Sequence, residues 1–108
     1  MESCNSSLNT NEKLWGMVKS DNVNSIIDAT LEIQKTKNKS MMDALLYKPA
    51  DPRITHRLKY YGMSIYQIKM LSLEILTEIK PPKEITYIPD SSIINFYIQT
   101  IKKLNGSQ

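Results

Sequence analysis

The chain has 108 residues, of which 41% are hydrophobic, 23% charged and 7% aromatic, with a formal net charge of +3. This length supports one domain that buries roughly 65% of its unfolded surface, and the composition excludes a disordered, collagen-like or low-complexity chain. Gly16, Gly62 and Gly106 are too dispersed for a P-loop or a dinucleotide-binding loop, and a lone Cys with a lone His cannot supply a zinc site unaided.

Residues 1–9 are polar and aperiodic and read as a disordered tail, followed by a single helical domain over 10–106. Asn9 or Thr10 caps a short first helix through about Ser20, with Glu12 at capping-box spacing from Asn9 and Leu14, Met17 and Val18 on its apolar face. Asp21 and Asn22 break that helix and cap the next, Val23 to about Thr36, whose stripe is Val23, Ile26, Ile27, Leu31 and Ile33. After a lysine-rich turn, Ser40 opens a short third helix that Pro49 and Pro52 cannot continue. Residues 48–62 lack a period and read as a long, exposed and mobile loop.

The fourth helix carries the strongest signals. Ser64 and Gln67 form an S-x-x-Q capping box, and Met63 with Ile68 has the spacing of a hydrophobic staple. One stripe runs through Ile65, Ile68, Leu71, Ile75, Leu76 and Ile79, and a second through Tyr66, Met70, Leu73 and Thr77. Two stripes require neighbours on both sides, so this helix is central, and Leu71 and Ile75 are expected in the core. Pro81-Pro82 stops it, Lys83–Pro89 is an extended connector, and Asp90 or Ser91 starts a last, outer helix with Ile94, Tyr97, Ile98, Ile101 and Leu104 inward.

The second and fourth helices align at an offset of 42, with Leu31-Glu32-Ile33 matching Leu73-Glu74-Ile75 residue for residue. Helical-hairpin repeats have periods of about 40–47 residues. On Ile26, Ile27, Ala29 and Ile33, Ala44-Leu45-Leu46, Asp51-Pro52-Arg53 and Gly62-Met63-Ser64, the segment Val23–Ile79 resembles a HEAT-like repeat, with Ile93–Leu104 as its closing helix. The resemblance implies an all-α fold, a short capping helix followed by two hairpins, about five helices in all, as a solenoid fragment or a compact bundle. It departs from the pattern after Arg53 and at Pro81–Pro89, where extra residues are inserted.

Charge is concentrated. Lys48–Met70 holds Lys48, Arg53, Arg57, Lys59 and Lys69 against Asp51, while the rest of the chain is net −1. Tyr47, Tyr60, Tyr61 and Tyr66 are interleaved with these cations. Cations with exposed aromatics suit phosphate contact and base stacking, and equally a protein interface anchored on Tyr and Arg. The structural alternative is that Arg53 or Arg57 caps a helix end or pairs with Asp51, while the tyrosines pack. The partner-binding candidates are Arg53, His56, Arg57, Lys59, Tyr60 and Tyr61.

Asp51, His56 and Ser64 allow a hydrolase triad on paper, but Ser64 is better explained as a cap and no G-x-S-x-G accompanies it. Glu74 and Glu78 lie on a polar strip, and the methionines occupy apolar positions suited to core filling. Cys4-Asn5-Ser6-Ser7 resembles a processed bacterial lipoprotein start without the apolar stretch that should precede it. The expectation is a cytoplasmic, non-catalytic binding module without cofactor or metal, of adaptor, inhibitor or immunity type, using a helical surface and the basic loop. Its partner is expected to be another protein, with self-association left open and no membrane contact. A nucleic-acid binder using Lys48–Lys69 is the alternative.

Overall fold

A computed structural model describes the chain over residues 2–106, with side chains from Thr10 onward apart from that of Leu58. Five α-helices follow in order: α1 (Glu2–Lys19), α2 (Val23–Thr36), α3 (Met42–Leu45), α4 (Ile65–Thr77) and α5 (Ser91–Gly106). Short 3-10 turns occupy Lys39–Met41 and Leu58–Tyr60. Among the described residues there is no sheet, only an isolated antiparallel bridge between Ile54 and Ser64. The fold is all-α.

The helix ends are set by local chemistry. Asn22 Oδ1 accepts from Ser25 N–H (3.0 Å) at the start of α2, and Lys37 closes that helix in the left-handed region at φ 52°. Ser64 Oγ accepts from Gln67 N–H (3.0 Å) at the start of α4. Asp90 Oδ1 accepts from Ser92 N–H (2.9 Å) at the start of α5. Helix α4 ends at Thr77, short of the expected Ile79, with Glu78 at φ 59°. The Pro81 ring bars helical backbone at Lys80, so the chain must already be leaving the helix. At the other end of the chain, α1 reaches back to Glu2, into the stretch read as a tail. No Pro or Gly lies between Glu2 and Leu14 to stop it, so the Asn9 capping box is passed over and helix continues.

The main core joins Leu14 and Val18 of α1, Ala29 and Ile33 of α2, Met42, Ala44 and Leu45 of α3, Tyr66, Met70, Leu73 and Leu76 of α4, and Ile93, Tyr97 and Ile101 of α5. A second cluster of Ile26, Ile27, Ile65 and Ile68 seals the first turns of α2 and α4 against each other. Helices α2 and α4 run side by side in the same direction, with Ser72 Oγ donating to Gln34 Oε1 (2.8 Å) further along. Helix α4 contacts α2, α3 and α5, so it is central as expected.

Which stripe of α4 is buried differs from expectation. Leu73 is fully buried and Leu71 only half-buried, while Ile75 is 42% exposed. The stripe through Tyr66, Met70 and Leu73 lies wholly in the main core, whereas the other is buried at Ile65, Ile68 and Leu76 but half-buried or exposed at Leu71, Ile75 and Ile79. The aligned Leu-Glu-Ile triplets therefore lie in different surroundings, with Ile33 buried where Ile75 is exposed. Helix α5 packs chiefly on α4 as an outer helix, and its inner face, Ile101 included at 4% exposure, forms part of the main core.

Candidate functional site

The segment 48–62, expected as a mobile loop, is a structural cap for α4. A helix N-terminus leaves its first N–H groups without intrahelical acceptors. Here Arg53 O accepts from Ile65 N–H (2.9 Å), Asp51 O accepts from Tyr66 N–H (2.9 Å), and Ser64 Oγ takes Gln67 N–H. The excursion is closed by Thr55 N–H donating to Met63 O (2.9 Å) and Gly62 N–H donating to Thr55 O (3.1 Å). Gly62 sits at φ 85°, a conformation available to glycine at little cost. Several backbone groups of this segment are thus hydrogen-bonded within the chain.

Two of the six candidate side chains are likewise engaged internally. Arg53 Nη2 lies 2.7 Å from Asp51 Oδ2, its Nε donates to Asp51 Oδ1 (3.0 Å), and its Nη1 donates to Asp21 O (3.0 Å). It pins the segment to the α1–α2 turn. Arg57 pairs with Asp28 of α2. Lys69, one of the concentrated cations of Lys48–Met70, is 2% exposed, and its ammonium donates to Tyr47 O (2.8 Å).

Burial pushes the Lys69 pKa down to about 8, partly offset by Asp51 and reinforced by Arg53. Burial acts to raise the Asp51 pKa, but the hydrogen bonds and charge of Arg53 outweigh it and hold the carboxyl below its ordinary value. A depressed carboxyl pKa gives stability that is present above the unfolded value, about 3.9, and is lost as pH falls through the folded one. Arg53→Ala should therefore lower the unfolding free energy measured by urea denaturation at neutral pH by about 1 kcal/mol given the half-exposed guanidinium, and flatten the acid limb. An unchanged acid limb would show that the pair contributes nothing.

Of the other four candidates, His56, Lys59 and Tyr61 are exposed and Tyr60 is half-buried against the second core cluster. His56 is exposed, with its ring 5.7 Å from that of Tyr61, which is 68% exposed. The Lys59 ammonium lies over the Tyr60 ring at 5.8 Å. Tyr60 also forms one wall of an apolar cleft of about 330 Å³ lined with Met63, Ile68, Leu71, Ile75, Gln34 and Glu74. Sequence reading missed this cleft because it assigned Leu71 and Ile75 to the core.

No hydrogen bond joins His56 to Asp51 or Ser64. The Asp51 oxygens accept from Arg53 and the Ser64 hydroxyl accepts from the α4 backbone, so the paper triad is not assembled. Among the described residues no group of His, Cys, Asp and Glu could hold a metal ion, and no helix is long and apolar enough to cross a membrane. The lipoprotein-like Cys4 lies outside the described side chains. Comparison with family models, curated proteins and solved structures gives no match to this chain.

Proposed function

We propose that the chain is a non-catalytic protein-binding module, an adaptor or inhibitor built on two HEAT-like hairpins, whose contact surface is the α2–α4 cleft with the 56–61 rim. The observation that carries this reading is the apolar cleft lined by Leu71, Ile75 and Tyr60, with the Lys59 ammonium over the Tyr60 ring and exposed Tyr61 next to it in the chain. An apolar pocket flanked by aromatics and one cation matches the anchor-and-rim anatomy of protein interfaces. The occupant it fits is a peptide segment or helix face with an apolar side chain for the cleft and a carboxylate for Lys59.

The fate of the basic segment favours protein over nucleic acid. Arg53 and Arg57 are paired with carboxylates and Lys69 is buried, so only Lys48 and Lys59 of the five cations are free of such engagement. Phosphate-backbone binding draws its affinity from several simultaneous cation contacts.

The test is capture from lysate of the source cells with wild type, Tyr61→Ala and Ile75→Glu, each with and without nuclease, followed by titration of the captured protein. The reading expects a nuclease-resistant partner whose affinity falls about tenfold or more in each variant. Capture abolished by nuclease, or equal affinity for all three chains, would overturn it.

A further inference from the structure

A different face of the molecule carries a second cluster that the protein-binding reading leaves unused. Between the α1–α2 turn and the segment leading out of α3 lies a recessed cleft of about 180 Å³, lined by Lys19, Lys48, Arg53 and Lys69 together with Asp21 and Asp51. The carboxylates do not balance the cations. Both Asp51 oxygens are taken by Arg53, and Asp21 Oδ1 lies 3.3 Å from the same guanidinium. Arg53 thus engages both acids, Asp51 also attracts the Lys69 ammonium, and among the described residues Lys19 and Lys48 form no ion pair with a carboxylate.

Each of these lysines is held in place. Lys19 Nζ sits over the Trp15 ring at 5.1 Å and Lys48 Nζ over the Tyr47 ring at 5.6 Å. The two rings meet edge to face at 6.3 Å, and of the two Tyr47 lines the cleft. The Lys69 ammonium, with three donors, makes a single hydrogen bond to the protein, at Tyr47 O. A buried ammonium is stable when its donors are satisfied and its charge is opposed. Here two donors remain for an acceptor entering the cleft.

We propose that this cleft is a binding site for a phosphate-sized oxyanion, either free phosphate or a phosphate monoester. The lining is net +2 over its six charged side chains, which matches a phosphate group of about −1.5 to −2 better than a single carboxylate. Lys69 supplies donors at the base of the cleft, and Lys19 and Lys48 close over the remaining oxygens. The site is independent of the α2–α4 cleft, so its failure would leave the protein-binding reading standing.

The experiment is calorimetric titration of inorganic phosphate, O-phosphoserine and acetate into wild type, Lys19→Ala, Lys48→Ala, Lys69→Met and Lys59→Ala. Saturable phosphate binding is expected with Kd on the order of 1 mM, and much weaker binding of acetate. Losing Lys19 or Lys48 should weaken it about tenfold each, as for a lost charge-assisted hydrogen bond. Lys69→Met should abolish it while circular dichroism shows the helical fold retained, and Lys59→Ala should bind as wild type. Phosphoserine binding as tightly as phosphate would place the group on a phosphorylated molecule, whereas its exclusion would assign the site to the free anion. Non-saturable binding, or equal affinity of Lys48→Ala and wild type, would overturn the proposal.

Discussion

Leu73→Ala is expected to destabilise the domain by about 2–5 kcal/mol, and Ile75→Ala, only two residues away, by less than about 1 kcal/mol. Leu73 is completely buried, packed in the main core with Met70, Leu76 and Tyr97, and its truncation leaves a cavity that rigid helices on several sides cannot fill. Ile75 is 42% exposed at the edge of the α2–α4 cleft, so its truncation removes little buried area. Ile101→Ala should fall in the same range as Leu73→Ala, because α5 forms a wall of the same core. A chain of this length is typically stable by only about 5–15 kcal/mol, so the contrast is readily measured by urea denaturation. Equal losses at Leu73 and Ile75 would mean that α4 buries the other stripe.

The second large effect concerns Lys69. Its pKa falls from the ordinary 10.5 to about 8, chiefly through burial, so keeping the ammonium charged at neutral pH costs about 3 kcal/mol. Between those two pH values the unfolded chain binds more protons than the folded one, so stability rises with pH. Burial, with the Glu74 carboxylate adding to it, raises the Tyr97 pKa well above the ordinary tyrosine value. Above about pH 10 that group reverses the slope, because the folded state then keeps a proton that the unfolded chain releases. Lys69→Met should remove the rise between pH 8 and 10. It should also stabilise the chain at pH 7 by about 2 kcal/mol, the relief of the buried charge less the loss of one hydrogen bond to Tyr47 O. The check is a series of denaturation curves across that pH range for both chains. A flat wild-type profile, or a Lys69→Met chain less stable at pH 7, would show that the ammonium is not held at a cost.

Much of the helical framework is determined by the sequence alone, because its signals are local. Asn22 and Ser64 accept hydrogen bonds from the N–H groups three residues on, which depends only on side-chain chemistry and spacing. Pro81-Pro82 stops α4 whatever packs against it. Of the α2 stripe, Ile26, Ile27 and Ile33 are buried, while Val23 and Leu31 are half-buried at its edge. The pairing of Arg53 with Asp51, two residues apart, was also legible as the structural alternative to partner binding.

What only the tertiary structure decided are the relations between distant segments. Helix α4 has two apolar stripes of similar strength, and the sequence does not say which of them the neighbouring helices bury more fully. Leu71 and Ile75 thus became the floor of a cleft instead of core. The same holds for charge: a basic residue reads as a solvated cation until its partner is known. Arg57 meets Asp28, and Lys69 meets the Tyr47 carbonyl, across separations of 29 and 22 residues. Those long-range contacts engage two of the cations that the sequence presents as free, while the backbone of Asp51 and Arg53 caps α4. They leave the outward-facing groups on the short rim at 56–61 and around the lysine-lined cleft. Local hydrogen-bonding and steric rules act over one or two turns of chain, whereas burial and charge neutralisation depend on which surfaces the folded helices bring together.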